Sequence, residues 1–295
     1  MQFRGQRVIV MHFINMPLGA SMTVIAVPYV LGGTYTEQQR LIKQAQGLEQ
    51  PARWLLDQIG IRPGSQVVDV GCGPIGIINL LSERVGPGGL VIGVEREDRF
   101  FEAAQAERVR RGLQNVKLVH ADAENSGLPK HSYDFVHERL ILINVPLTSQ
   151  QAILTEMLSL LKPGGTIAIE EFDFVSFACH PDHPSWNLLF KVWCDAFNAS
   201  GGNLSIGRSL ARLLRAAGAE NIKIHPHANM PQVGEYQRTH LLSLIESTQD
   251  LMIGPGRLTA TELRDHMDAL AKHLSDPSTT LIDRLVVQAW GTKPN

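Results

Sequence analysis

VVDVGCGPIGI, residues 67–77, decides how this chain is read. The apolar residues flanking Asp69 read as a short buried strand. Gly71, Gly73 and Gly76 break it into a tight turn, and Ile77 opens an apolar helical pattern. Glycine has no Cβ, so a turn of this kind lets the backbone pass close to a ligand. By spacing alone the three glycines fit GxGxxG, a dinucleotide loop in which Glu95, closing the next strand, would hold a ribose. Asp69 argues otherwise. It stands two residues before the first glycine, at the mouth of the turn, where a carboxylate would repel a pyrophosphate.

Outward from the turn, strands and helices alternate. Strands are expected at Gln66–Val70, Leu90–Glu95, Val116–His120, Tyr133–His137 and Thr166–Glu170. Helices are expected at Gly76–Val85, at Arg99–Arg111 behind an Asp98 cap, and at Ser149–Leu161, stopped by the KPGG turn at 162–165. Such alternation means right-handed βαβ units and a mostly parallel sheet covered on both faces. Residues 36–59 read as two helices divided by Pro51. Beyond residue 175 come a helical run through Trp193, a helix Ser209–Ala217 stopped by Gly218, a strand near Asn221–His225, helices over 234–275, and a last strand within Leu281–Trp290. The chain divides into an N-terminal arm and cap helices (1–50), a cofactor-binding core (51–175), lid and substrate-binding helices interleaved with that core (176–275), and a final core strand (276–295).

S-adenosylmethionine has no phosphate and carries a sulfonium and an ammonium, so an acid at the turn suits it. Several segments, in order, make the chain similar to class I S-adenosylmethionine-dependent methyltransferases: VVDVGCG, VIGVE at 91–95, HADAENSGLP at 120–129, YDFVHERLILINVP at 133–146 and LLKPGGTIAIEE at 160–171. YVLGGTYTEQQRLIKQA at 29–45 resembles, more loosely, small-molecule methyltransferases of bacterial natural-product type. The resemblance implies an α/β, Rossmann-like, seven-stranded sheet with an antiparallel last strand. It implies a cofactor cradle of Asp69, Gly71, Cys72 and Gly73. Glu95, with Arg96 beside it, would take the ribose hydroxyls, Asp122 the adenine amino group, and Ala123 would offer its backbone. One position departs from the pattern: Ile75 stands where the family has a third alternate glycine.

Methyl transfer from a sulfonium is an in-line displacement, so the protein mainly aligns the nucleophile, and a base is needed only if a proton must leave early. Catalytic candidates are His137, Glu171 and Tyr29. His137 could deprotonate a phenol or amine, or pack on the cofactor. Glu171 is a base or a loop carboxylate. Tyr29 could lay its ring on the sulfonium, contact the acceptor or fill a core. Arg139 could meet the cofactor carboxylate or pair with an acid. Arg40 and Gln44, one helical turn apart, could point at the cofactor's amino-acid end or into solvent. His180 and Trp186 could line the acceptor pocket, and the aromatic residues over 172–193 suggest an aromatic or lipophilic acceptor. His180 and His183 lack a third ligand, so no metal is expected.

A net charge of −2 over 295 residues gives no electrostatic reason for a nucleic-acid partner. Cys72, Cys179 and Cys194 lack paired spacing, which suits a reducing cytoplasm. The apolar stretch Val8–Leu31 is interrupted by His12, Asn15 and Pro17, so it reads as an arm that covers the site or joins a homo-oligomer, with no membrane partner expected. The competing classes are an NAD-dependent oxidoreductase and a methyltransferase fold that uses the cofactor for a non-methylating reaction.

Overall fold

The structure, a computed structural model, describes residues 34–74, 76–254 and 257–295. Tyr29, Ile75 and the apolar arm therefore lie outside the described residues.

The N-terminal pair is α1 (Tyr35–Gly47) and α2 (Glu49–Ile59). The break falls at Leu48, and Pro51 sits in the first turn of α2, where a missing N–H costs nothing. The core then runs β1 (Gln66–Val70), α3 (Ile78–Val85), β2 (Leu90–Glu95), α4 (Asp98–Arg110), β3 (Val116–His120), β4 (Tyr133–Arg139), α5 (Leu147–Leu160) and β5 (Leu161–Asp173). Asp98 is the first residue of α4 and not its cap; Glu97 holds the cap position and makes no side-chain capping bond. Next come β6 (Ala178–His180), α6 (Pro184–Ala199), α7 (Leu210–Ala217) and β7 (Glu220–His227). The chain continues through α8 (His240–Ser247), α9 (Gln249–Met252), α10 (Ala260–Ser275), β8 (Thr280–Ile282) and β9 (Leu285–Thr292).

Seven strands form one sheet in the order β3-β2-β1-β4-β5-β9-β7. Neighbours from β3 to β5 are parallel, and β9 runs antiparallel to both β5 and β7. This is the expected Rossmann-like α/β architecture. Side chains alternate across a strand, so each face builds its own core. Val67, Val91 and Phe135 pack with Leu55 and Leu56 of α2 and Leu81 of α3. Val68, Ile92, Val136 and Ile167 pack on the other face with Leu154 and Met157 of α5 and Leu213 and Leu214 of α7. Both faces are buried, which is why these strands read as nearly unbroken apolar runs. β6 and β8 form a separate two-stranded ladder, and His273 of α10 lies 3.0 Å from the Pro181 carbonyl just past β6. Ligands in such sheets bind beyond the carboxyl ends of the strands, here at β1 and β4, between which the strand order reverses.

Candidate functional site

At that edge lies a cavity of about 850 Å³. One end is polar, lined by Asp69, Gly71, Cys72, Gly73, Glu95, Arg96, Asp122, Ala123, His137 and Arg139, with Arg40 and Gln44 of α1 alongside. The other end is apolar: Ile143, Val145, Phe172, Phe174, Trp193, Phe197, His240 and Leu244.

The turn is built by backbone conformation. Gly71, Gly73 and Gly76 all have φ between +47° and +62°, which glycine adopts at no steric cost. A Cβ on Gly73 would meet nothing within 4 Å, so that part of the turn faces open cavity. A Cβ on Gly76 would sit 2.4 Å from the Cys72 carbonyl oxygen, so the turn closes tightly there. The Cys72 thiol is buried and its pKa is pushed well up by burial, so it packs and does not react.

Two carboxylates hold the turn. Glu95 accepts from the backbone N–H of Gly73 at 2.9 Å and from those of Arg96 and Glu97 at 2.8 Å each. Burial raises its pKa, and these donors oppose the rise. Asp69 Oδ2 accepts from Ile77 N–H at 3.5 Å. Asp122 accepts from Glu124 N–H at 2.8 Å and from Arg96 Nη1 at 3.3 Å. In α1, Arg40 donates Nε–H to Glu37 at 2.6 Å and Nη1–H to Gln44 at 2.7 Å, so its face is a buried polar network and not a solvated surface.

His137 is not the base the sequence suggests. Its Nδ1 lies 2.7 Å from Asp69 Oδ1 and its Nε2 lies 2.9 Å from Glu170 Oε1, all three fully enclosed. Burial alone would push its pKa down, but hydrogen bonds and charge from both carboxylates outweigh it and lift the value to about 9. With both ring nitrogens donating, no lone pair remains to take a proton from an acceptor. The row continues through Gln288, which donates Nε2–H to Glu170 Oε2 at 2.5 Å and to the Pro51 carbonyl at 2.9 Å. It reaches His227 Nε2, 2.8 Å from Gln288 Oε1. The sequence gives no signal for Gln288 or His227, because the row exists only once five strands are in register.

Glu171 does not reach the cavity. It is buried beside Glu138, and each carboxylate accepts a backbone N–H from the segment after β4: Ile141 N–H to Glu138 at 3.1 Å and Ile143 N–H to Glu171 at 3.2 Å. Burial lifts Glu138 to about 8, and burial plus the Glu138 charge pushes Glu171 well up, so the pair holds a proton between them. Glu171 thus fixes the segment that carries Ile141 and Ile143 to the cavity; it is no base. Arg139 Nη1 is buried with no hydrogen-bond partner among the described residues, which leaves a donor for an anionic group.

His180 and Trp186 are not on the cavity wall. His180 is exposed on β6 opposite Thr280. Trp186 is buried, its ring 4.9 Å from Phe177, and fills the core under α6 because a large apolar surface there gains most by burial. The aromatic wall instead comes from Phe172 at the end of β5, Phe174 just past it, and Trp193 and Phe197 on α6. Phe197, His240 and Leu244 carry no sequence motif, and only the fold brings them there. Among the described residues no group of three His, Cys, Asp or Glu side chains could hold a metal ion.

A family model described as a methyltransferase domain matches residues 61–218. The demethylmenaquinone methyltransferase of Listeria monocytogenes serotype 4a (strain HCC23) is 30% identical over 133 residues, 45% of this chain and 53% of that protein. The nocamycin O-methyltransferase of Saccharothrix syringae is 35% identical over 118 residues, 40% of this chain and 41% of that protein. The chain thus spans about half the length of the curated relatives it matches. Among solved structures, the YcgJ protein of Bacillus subtilis superposes with a TM-score of 0.55 at 15% identity, covering 83% of this chain and 99% of that one. A methyltransferase-like protein of Bacillus halodurans C-125 gives 0.54 at 16% identity, covering 82% and 99%.

Proposed function

The chain belongs to the methyltransferase-domain family, and from that premise we propose that it transfers a methyl group from S-adenosylmethionine to a small aromatic or lipophilic acceptor of natural-product kind. The observation that carries the reading is the occupation of the turn by acids. The backbone N–H groups of Gly73 and Ile77, which a pyrophosphate would need, already donate to Glu95 and Asp69. The same carboxylates suit a ligand with ribose hydroxyls and a positive charge, and the open donor of Arg139 suits its carboxylate.

When bound, the cofactor would supply an electrophilic methyl group on a sulfonium. The protein's part is placement. Glu95 holds the ribose, Asp122 and Ala123 the base, and Arg139, Arg40 and Gln44 surround the amino-acid end. Ile143, Phe172, Phe174 and Trp193 exclude water and hold the acceptor at the aromatic end of the same cavity, and this alignment is the main source of rate. His137 and Glu171, the described candidates for a base, are both committed elsewhere. This favours acceptors that need no early proton removal or that ionise in solution.

The reading places a small molecule, not nucleic acid, in the site and the protein in the cytoplasm. No helix among the described residues is long and apolar enough to cross a membrane. Melting curves with S-adenosylmethionine and with NAD, followed by release of S-adenosylhomocysteine with a panel of aromatic acceptors, test it. A shift by NAD alone overturns the cofactor. Cofactor binding with turnover but no methylated product favours a non-methylating reaction on the same fold.

A further inference from the structure

Burying a polar atom without a partner is costly, so a cluster of such atoms calls for a ligand. Three of the buried side-chain atoms without a close hydrogen-bond partner among the described residues fall in one corner: His240 Nδ1, Arg284 Nε and Tyr236 Oη, the last with Ser243 and Arg40 beside it. The corner adjoins the apolar end of the cavity, whose wall includes His240 and Phe172. The Arg284 guanidinium lies 4.0 Å above the Phe172 ring centre. The His240 ring is 6.4 Å from Phe172, and the Tyr236 ring packs edge-on against His240 at 5.3 Å. Arg284 is enclosed and pairs with Asp283 through Nη1 at 2.7 Å, which leaves its Nε–H unused.

The chemistry of this corner is that of a donor set. Arg284 Nε–H can only donate, and the Tyr236 hydroxyl has a proton to give. Burial, then the charges of Arg284 and Arg40, hold His240 well below its usual pKa. The imidazole is therefore neutral, in a positive field that favours an oxygen with negative character over a cation.

We propose that His240, Tyr236 and Arg284 form a seat for an anionic oxygen, a carboxylate or enolate, on the lipophilic acceptor, at the end of the cavity away from the glycine turn. The acceptor class narrows accordingly to aromatic or lipophilic acids and enols. The seat sets the acceptor's orientation and does not exchange its proton. Specificity built this way is strong, because an analogue lacking the oxygen leaves buried donors unpaired.

The inference rests on the cavity being the acceptor site of the function proposed above. Its test uses binding alone. 1-Naphthoate, naphthalene and 1-naphthylmethylamine are titrated calorimetrically into the full chain saturated with S-adenosylhomocysteine. The expected result is naphthoate at least tenfold tighter than the amine, with naphthalene between. Tyr236→Phe removes one oxygen and keeps the ring, so it tests the seat without emptying the core. Tyr236→Phe and His240→Phe should each shrink the naphthoate preference to threefold or less. Equal binding of the three probes, or a preference that survives both variants, overturns the seat. Binding of S-adenosylhomocysteine without the preference overturns the seat alone. Absence of both overturns the functional reading and the seat with it.

Discussion

His137 gives its Nδ1–H to Asp69 Oδ1 at 2.7 Å, and the two residues face each other as partners on neighbouring parallel strands. A neutral imidazole has one N–H, but His137 meets a carboxylate at each nitrogen. Only the imidazolium satisfies both. The residue that sits closest to the role of general base is thereby a fixed cation, and the acid at the glycine turn is positioned from the next strand.

A stability profile follows from this pair. The folded pKa of His137 is about 9 against 6.5 in the unfolded chain. The group's contribution is complete below pH 6.5 and disappears as pH rises through about 9. The shift corresponds to an effect on the order of 3 kcal/mol. Urea denaturation at pH 6, 7.5 and 9 should show this decline in the natural protein and a flatter profile in His137→Gln. Equal slopes in the two would mean that His137 is neutral in the folded state.

Glu138 and Glu171 add a second, separable window. Glu138 titrates near 8 in the folded protein and near 4.5 when unfolded, so the native state binds more protons between those values. Stability must then fall as pH rises from about 4.5 to 8, by at most roughly 1.4 kcal/mol per pH unit for one proton. Glu138→Gln keeps an acceptor for Ile141 N–H and carries no charge. It should remove most of that slope while leaving the decline toward pH 9. Denaturation midpoints at pH 5, 6.5 and 8 measure it, and an unchanged slope would place the shared proton elsewhere.

Much of this was legible beforehand, for a physical reason. The strands β1 to β5 are buried on both faces and the connecting turns need glycine, so apolar runs and glycine positions mark them with little ambiguity. Asp69, Glu95 and Asp122 stand at strand ends, where chain position and site position coincide, and the cavity contains all three. The apolar end of the cavity was not legible. Phe197, His240 and Leu244 arrive from helices whose apolar faces look alike whether they line a core or a cavity. Trp186 and Trp193 lie on the same helix, yet one fills the core and the other the wall. The partners of His137 and Glu171 are not legible in the sequence, because a residue type reveals its chemistry but not its partners. Gln288 completes the row from more than a hundred residues away.

The glycines of the turn are not equivalent, and two substitutions should separate them. Gly73 has φ +59° with open space before it, so Gly73→Ala costs only the left-handed backbone, about 1 kcal/mol. Gly76 has φ +47°, and a Cβ there would lie 2.4 Å from the Cys72 carbonyl oxygen and 2.8 Å from Asp69 Oδ2. Gly76→Ala must displace the turn and should cost at least about 2 kcal/mol. Differential scanning calorimetry should show the larger drop for Gly76→Ala. The Gly73 variant should instead weaken S-adenosylhomocysteine binding while melting nearly normally, because its new methyl group projects into the cavity. The reverse order would mean that the turn faces the cavity through Gly76.

Glu95 supports the turn and lines the cavity at once, so its variants must be read on two scales. Loss of a charge-assisted hydrogen bond to a ribose is worth about 1.5–3 kcal/mol, or roughly ten- to a hundredfold in affinity. Glu95→Ala also frees the N–H groups of Gly73, Arg96 and Glu97, which would loosen the turn and lower stability. Glu95→Gln keeps one oxygen, enough for the Arg96 and Glu97 N–H groups, and gives up the charge and the Gly73 bond. Titration calorimetry should therefore find S-adenosylhomocysteine affinity reduced in both variants, more in Glu95→Ala, with thermal stability lowered mainly in the alanine form. A glutamine variant that binds as tightly as the natural protein would remove Glu95 from the ribose and leave it only the turn.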